Sequence, residues 1–467
     1  MSTPRNVVVI GAGPAGYVCA IRLAQLGQKV TVVEKAELGG TCLNVGCIPS
    51  KALIAAGVLL DKIRHASAMG ISATGVKLEL DKLVAWKSGI VAKLTGGVGG
   101  LLKNHGVTVI KGTASFVDAR TVKVVGAAGE QVLKADDVVI ATGSEPIEIP
   151  GFAIDEDAVW SSTGALVPKK LPEHLVVIGG GYIGLELGIM YRKLGSKVTV
   201  LEATAGALPG QDRDCVKVIE RSMKKLGVEL LTETLARGYQ KRNGKLVVNV
   251  TAKGVDKTIE CDQIGCMVGR RPHSKGLALE RAGLKLDAKG FLAVDKRMRT
   301  GVPNVYAIGD IAGQPMLAHK GSKEGLVAAA VIAGLKEEYD SRCVPAVIFT
   351  APEMASVGLL EEQATAQGRK VKTGQFPFAA SGRAMSLMET DGFVKIVADA
   401  ATDEILGVHM VGPEVTELVA EAALAIEMGA TAEDLARTIH AHPTLPEAMM
   451  EAAEAVHGMA VHIFQKK

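Results

Sequence analysis

Val7-Val8-Val9-Ile10-Gly11-Ala12-Gly13-Pro14-Ala15-Gly16 decides the fold. The four residues Val7 to Ile10 read as a strand. Three glycines in the spacing G-x-G-x-x-G follow at once, and a helix-like stretch runs to about Leu26. A second strand, Val30 to Val33, then ends at Glu34. This is a βαβ unit built to hold a dinucleotide. Gly11 permits the tight turn, Gly13 lets backbone approach a pyrophosphate, and Gly16 lets helix and strand pack closely. The amides opening the helix hold the phosphates, and the acid takes the ribose hydroxyls.

The pattern recurs. Leu175-Val176-Val177-Ile178 leads into Gly179-Gly180-Gly181-Tyr182-Ile183-Gly184, a helix-like stretch to Leu194, and a strand Val198 to Leu201 ending at Glu202. The same 23-residue interval separates Gly11 from Glu34 and Gly179 from Glu202. One such motif is weak, but strand, helix, second strand and acid all recur in order. Two units imply two dinucleotides. Ala203-Thr204-Ala205-Gly206-Ala207 follows Glu202 without a basic residue, so the second site should prefer NAD(H) to NADP(H).

The 467 residues allow roughly three domains. Lys plus Arg is 53 and Asp plus Glu is 50, a net charge of +3, which argues against a dedicated nucleic-acid binder. Glycine is abundant, 54 residues without a collagen period, and serves turns and close approaches. Seven cysteines form no disulfide framework and fit a reducing compartment. No signal peptide is read at the N-terminus. The longest apolar helix-like run, Gly325 to Leu335, is 11 residues, short of a membrane span. These absences and the start at Met1 favour a bacterial cytoplasm; the mitochondrial matrix is the alternative if a presequence is removed. Lys51 to about Gly106 reads as mostly helical, Val107 to Val139 as short strands, and residues 228 to 268 as a meander turning at Asn243-Gly244. Beyond Pro345 come strands to about Val411, then helices from Glu414 to Met428 and Glu447 to Val456.

Gly39-Gly40-Thr41-Cys42-Leu43-Asn44-Val45-Gly46-Cys47-Ile48-Pro49-Ser50-Lys51 follows the first ribose-binding acid. On a regular helix, residues five apart lie about 8–9 Å apart at Cα, from a rise of about 1.5 Å per residue. A disulfide wants roughly 4.4–6.8 Å. Bridging Cys42 to Cys47 therefore needs a distorted first turn, and a strained, accessible disulfide is the labile, catalytic kind. Two nearby cysteines can instead be structural or metal-binding; a zinc site lacks its second half here. Cys261 and Cys266, also five apart but in a strand context, read as buried thiols, as do Cys19, Cys215 and Cys343.

Near the C-terminus stands His440-Ala441-His442-Pro443-Thr444-Leu445-Pro446-Glu447. A His442–Glu447 pair is what a general base near neutral pH needs, and such a base suits thiol chemistry. A surface or capping role for His442 is the plainer alternative. The other eight histidines, His65, His105, His174 and His457 among them, read as lacking such a context.

Together these stretches resemble the pyridine nucleotide–disulfide oxidoreductases, and the resemblance covers nearly the whole chain. It is closest to the members that oxidise reduced lipoamide. Thr300-Gly301-Val302-Pro303-Asn304-Val305-Tyr306-Ala307-Ile308-Gly309-Asp310 resembles the second FAD-binding motif, Met316-Leu317-Ala318-His319 a contact with the flavin end, and Gly269-Arg270-Arg271-Pro272 a segment near NAD. Gly321-Ser322-Lys323 departs from the alanine and acidic residues the pattern leads one to expect.

The resemblance implies an α/β fold: two Rossmann-like dinucleotide-binding domains plus a C-terminal α+β interface domain. The segments would be 1–147, binding FAD and carrying the cysteines; 148–275, binding NAD; 276–345, completing the FAD site; and 346–467, for dimerisation. It implies FAD at Gly11, Gly13, Gly16, Glu34, Gly40, Thr41, Lys51, Ala114, Thr142, Gly143, Ser144, Asp310, Met316, Leu317, Ala318 and His319. It implies NAD at Gly179, Gly181, Tyr182, Ile183, Gly184, Glu186, Glu202 and Gly269, and no metal. Cys42 and Cys47 would form the redox-active disulfide, Cys47 facing the flavin. His442, backed by Glu447, would be the base, acting on the other subunit of a homodimer. Lys51 would pair with Glu186 beside flavin N5, and Tyr182 would cover the flavin until nicotinamide arrives. The substrate would be dihydrolipoamide on a lipoyl domain, of an acyltransferase in a 2-oxoacid dehydrogenase complex or of the glycine-cleavage lipoyl carrier; no nucleic acid or membrane partner is implied. Relatives with other chemistry fit less well. A mercuric reductase should end in a vicinal cysteine pair, where this chain ends Ile463-Phe464-Gln465-Lys466-Lys467, and a glutathione reductase should use NADPH. A non-catalytic flavoprotein module would not need the cysteines or the base.

Overall fold

The computed structural model describes residues 3–465; Met1-Ser2 and Lys466-Lys467 lie outside the described residues. Contacts group the chain into two units rather than the four segments expected. The first comprises the residues up to Glu148, Trp160–Lys170 and Gly269–Asp340. The second comprises Ile149–Val159, Leu171–Val268 and the residues from Ser341 onward.

In the first unit, five parallel strands lie in the order Val305–Ala307, Asp137–Ile140, Asn6–Ile10, Lys29–Glu34, Thr108–Lys111. The segment 276–345 is no separate body, because Val305–Ala307 supplies an edge strand of this sheet. Val7 and Val9 are buried on one face and Val8 and Ile10 on the other, as a parallel sheet covered on both faces requires. Each such side chain contributes about 1.5–3 kcal/mol on burial. The helices Pro14–Gln25 and Ala318–Ile332 pack closely, with Ala15 and Cys19 of the first against Gly321 and Gly325 of the second. A Cβ on Gly325 would lie 2.7 Å from Ala15 O, so only glycine fits there.

The second unit repeats the plan. Val228–Leu231, Lys197–Leu201, His174–Ile178 and Gln263–Cys266 run parallel in that order. The repeat extends to register: Asn6 faces Lys29, and His174 faces Lys197, again 23 residues on. Each sheet has its own three-stranded antiparallel meander. One is Thr113–Asp118, Thr121–Gly126 and Gly129–Lys134; the other is Thr234–Arg242, Lys245–Ala252 and Val255–Cys261. Asn243 and Gly244 turn between the last meander's first two strands with φ of 50° and 78°, the pairing a tight hairpin demands.

The rest of the second unit is an antiparallel sheet in the order Ala346–Ile348, Glu353–Gly358, Ile405–Gly412, Phe393–Asp399, Val371–Pro377. The helices Val415–Met428, Ala432–Arg437 and Glu447–Val456 bury their apolar stripes with it in one core.

One expectation is corrected. The longest apolar helical stretch is not 325–335 but 40–69, which is long and apolar enough to cross a membrane by length and composition. It is broken at Gly46, carries Lys51, Asp61, Lys62 and Arg64, and packs on the helix Leu80–Asn104.

Candidate active site

The two glycine turns divide their labour identically. A Cβ on Gly16 would sit 2.0 Å from Gly11 O, and one on Gly184 would sit 2.0 Å from Gly179 O. Both positions are filled by backbone. A Cβ on Gly181 would meet nothing within 4 Å, and one on Gly13 only Gly40 Cα at 3.9 Å. The middle glycines are therefore small for something outside the chain. The helices they open, Pro14–Gln25 and Tyr182–Leu194, have no side-chain cap and no acid in the first turn. Their free N–H groups and positive dipole ends suit a pyrophosphate.

The acids match as well. Glu34 Oε2 accepts from Ala12 N–H at 2.7 Å, and Oε1 from Ala36 N–H at 2.8 Å. Glu202 Oε2 accepts from Gly180 N–H at 2.8 Å, and Oε1 from Thr204 N–H at 2.7 Å. Each carboxylate is thus held against its own glycine turn at the end of the second strand. Glu202 Oε1 also lies 2.8 Å from Thr204 Oγ1, so both Glu34 oxygens and Glu202 Oε2 retain a lone pair for a ribose hydroxyl.

Gly46 breaks the helix between the cysteines. Gly40–Val45 ends there, and Cys47 opens Cys47–His65. A Cβ on Gly46 would approach Thr41 O to 2.9 Å, so the break requires glycine. The result is the distorted turn the spacing demanded. The two cysteines stand as thiols, Cys42 half-buried and Cys47 exposed. The Cys42 thiol is pushed up, first by its hydrogen bond with Cys47, then by burial, while the Lys51 charge opposes. Cys19 and Cys261 are buried, their thiols pushed up by burial to about 12, as inert packing residues should be.

His442 Nδ1 lies 2.8 Å from Glu447 Oε1, and Glu447 Oε2 accepts from Thr444 N–H at 2.7 Å. Burial pushes the Glu447 carboxyl up, but the Thr444 N–H and the His442 ring outweigh it and hold it below its ordinary value. The reading that the other histidines lack such a context is corrected. Of those eight, His457 pairs with Asp403, His273 with Glu145, and His462 with Glu451; His440, in the same stretch as His442, pairs with Glu421. Sequence proximity could not show these, because the carboxylates arrive from distant elements. His442 has the most exposed side chain of these, 81% against 5% for His440, and its ring faces outward.

The remaining expected residues fall as follows. Lys51 lies one helical turn after Cys47. Ala114 is buried in a strand of the first meander. Gly143 turns with φ of 70°, Thr142 Oγ1 donates to His273 O, and Ser144 Oγ donates to Asp310 Oδ2 at 2.5 Å. Leu317 caps the helix Ala318–Ile332, so Met316 and Leu317 lead into its first turn, which holds Ala318 and His319. Glu186 is buried and accepts from Phe349 N–H at 2.9 Å. Tyr182 and Ile183 open the second nucleotide helix, with Tyr182 exposed. Gly269 falls in the first unit, where Ile147 N–H donates to its carbonyl and Arg270–Pro272 pairs with Ser144–Pro146.

Three features escaped sequence reading. Arg270 Nε donates to Ser144 Oγ at 2.8 Å, extending the chain to Asp310. Lys320 and Glu324 form a buried ion pair at 2.7 Å; Glu324 also accepts from Gly309 N–H at 2.7 Å, and Lys320 donates to Gly313 O at 3.1 Å. They clamp both ends of the Asp310 turn. Their Lys-x-x-x-Glu spacing in an apolar helix was the available signal. Arg213 also lies against Gly206, beside the second ribose acid's loop.

The comparisons agree with this architecture. The pyridine nucleotide–disulphide oxidoreductase family matches residues 5–325, and its dimerisation domain matches 344–453. The chain belongs to this family. It is 50% identical over 461 residues to the dihydrolipoyl dehydrogenase of Geobacillus stearothermophilus, covering 99% of this chain and 98% of that one. It is 50% identical over 464 residues to that of Thermus scotoductus, covering 99% of each. Among solved structures, LpdA from Mycobacterium tuberculosis matches with a TM-score of 0.90 at 30% identity, over 96% of this chain and 99% of that one. The HOCl-induced flavoprotein disulfide reductase RclA from Escherichia coli matches at 0.86 and 28%, over 96% and 99%.

Proposed function

We propose that this protein is a dihydrolipoyl dehydrogenase, oxidising protein-bound dihydrolipoamide to lipoamide and reducing NAD to NADH. The observation that carries the reading is the Cys42/Cys47 pair across the Gly46 break, in a chain half identical over its whole length to enzymes of that name.

The residues present fit FAD in the first unit. The open Gly13, the uncapped helix and Glu34 would hold its adenosine diphosphate end; Asp310 and the turn at Leu317 to His319 would meet the rest. The matching set in the second unit, Gly181, Tyr182, Ile183 and Glu202, would hold NAD. The chemistry FAD supplies when bound is two-electron transfer between a thiol pair and a nicotinamide.

The chain's own residues perform the thiol exchange, starting from the Cys42–Cys47 disulfide. Glu447 accepts only, so the hydrogen it holds sits on Nδ1 and leaves His442 Nε2 as the base. Nε2 takes a proton from one substrate thiol. The thiolate attacks Cys42 Sγ, and Cys47 leaves as thiolate, stabilised by the Lys51 charge one turn away. The second substrate thiol gives its proton to Nε2 as the first passes to Cys42, and attacks the substrate sulfur of the mixed disulfide, from which Cys42 leaves. Lipoamide departs, and Cys42 and Cys47 hold the two electrons.

His442 works in trans, on the cysteines of the second subunit of a homodimer. Its outward-facing ring supports this, as do exposed Leu424, Met428 and Ile439 in the dimerisation region. The partner bearing the substrate is a lipoyl domain, of an acyltransferase of a 2-oxoacid dehydrogenase complex or of the glycine-cleavage carrier.

The test is a steady-state assay of the purified flavoprotein with dihydrolipoamide and NAD, beside NADP and glutathione. NADH formation from dihydrolipoamide is expected. Absence of turnover, with a flavin that NADH still reduces, would overturn the substrate.

A further inference from the structure

The loop after Glu202 contains no basic residue, yet the fold brings one to it. Arg213, first residue of the helix Arg213–Leu226, lies so close to Gly206 that a Cβ there would meet its Nη2 at 2.4 Å. A chain of contacts joins it to the ribose acid. Thr204 Oγ1 lies 2.8 Å from Glu202 Oε1 and 2.9 Å from Gly206 O, and the loop closes through Leu208 N–H donating to Gly180 O at 2.9 Å.

A guanidinium in this neighbourhood is what a 2′-phosphate seeks. Here it is engaged. Arg213 Nη1 donates to Ala207 O at 2.9 Å, and Nη2 lies 3.6 Å from Glu220 Oε1. Glu220 Oε1 also accepts from Ala207 N–H at 3.1 Å. Arginine and carboxylate thus grip one residue, Ala207, by its carbonyl and its N–H, one helix supplying both.

We propose that Glu220 is a specificity-determining residue for the dinucleotide. It neutralises Arg213 and holds it on Ala207, so that the guanidinium does not offset the repulsion Glu202 exerts on a 2′-phosphate. Discrimination against NADP(H) rests on two carboxylates: Glu202 at the ribose, and Glu220 on the arginine that would otherwise undo it. The inference rests on the second unit being the NAD site.

Equilibrium binding of 5′-ADP and 2′,5′-ADP to the FAD-loaded dimer, by calorimetry, tests it without the dithiol reaction. NADH and NADPH reduction of a dye provides a second reading. Glu220→Gln keeps an acceptor for Ala207 N–H while removing the charge. In the Glu202→Ala background it is expected to raise 2′,5′-ADP affinity at least tenfold over Glu202→Ala alone. Adding Arg213→Met should abolish that gain and leave 5′-ADP binding within about twofold. Equal 2′,5′-ADP affinity in Glu202→Ala and Glu202→Ala/Glu220→Gln would overturn the role of Glu220. A gain that persists without Arg213 would do the same. Wild-type protein that binds neither compound would instead overturn the assignment of the nucleotide site, and the proposal with it.

Discussion

Glu447 holds His442 Nδ1 at 2.8 Å while the rest of the histidine ring stands in solvent. An exposed ring is not fixed by packing, so its tautomer and orientation depend on this carboxylate. His442→Gln should lower dihydrolipoamide oxidation by about 10²–10⁴-fold. NADH-to-dye transfer, which needs no thiol base, should change little. Glu447→Gln should give a smaller loss in the same assay. Equal losses in both assays would make His442 structural.

The cysteines should differ in role although one turn presents both. Cys47→Ser is expected to abolish the long-wavelength absorbance band between thiolate and flavin, and Cys42→Ser to retain or strengthen it. A titration with dithionite, followed by absorbance, decides between them; the reverse pattern exchanges the roles.

The glycine turns offer a test that separates folding from binding. Gly184→Ala puts a Cβ against Gly179 O and should destabilise the protein by about 1–3 kcal/mol or more. Gly181→Ala meets open space and should leave the melting temperature near that of the parent while weakening NADH binding tenfold or more. Melting curves beside NADH titrations measure both.

Lys320 and Glu324 clamp the Asp310 turn from a buried helix. Glu324→Gln strands the Lys320 ammonium and should cost about 3–5 kcal/mol, with FAD released at lower denaturant. Lys320→Met combined with Glu324→Gln removes both charges and should recover most of the stability. Flavin fluorescence during denaturation reports the release.

Lys395, in the second unit, lies 3.0 Å from Asp212, which caps a helix through the N–H groups of Asp214 and Cys215. Burial pushes Asp212 up, but the Cys215 N–H and Lys395 hold it below its ordinary 3.8. A depressed carboxylate stabilises the fold above its unfolded value and loses that contribution as pH falls through the folded one. Lys395→Met should therefore cost about 1–3 kcal/mol at neutral pH. The gap to wild type should narrow below about pH 4. Urea unfolding at several pH values follows it.

The amino-acid sequence by itself determined both nucleotide-binding units, down to the 23-residue interval that reappears as strand register, because turn, helix and acid lie within one short loop of chain. It determined the broken helix at the cysteines and the His442–Glu447 pair for the same reason: the partners are five residues apart. The tertiary structure alone decided which distant segment completes each site. Val305–Ala307 joins the first sheet, Arg270–Pro272 straps onto Ser144–Pro146, and Glu421 reaches His440. Arg213 arrives beside a loop that reads as free of positive charge. Burying a charge or closing a sheet edge requires a partner wherever the folded chain can supply one, and spacing along the chain carries no record of that choice.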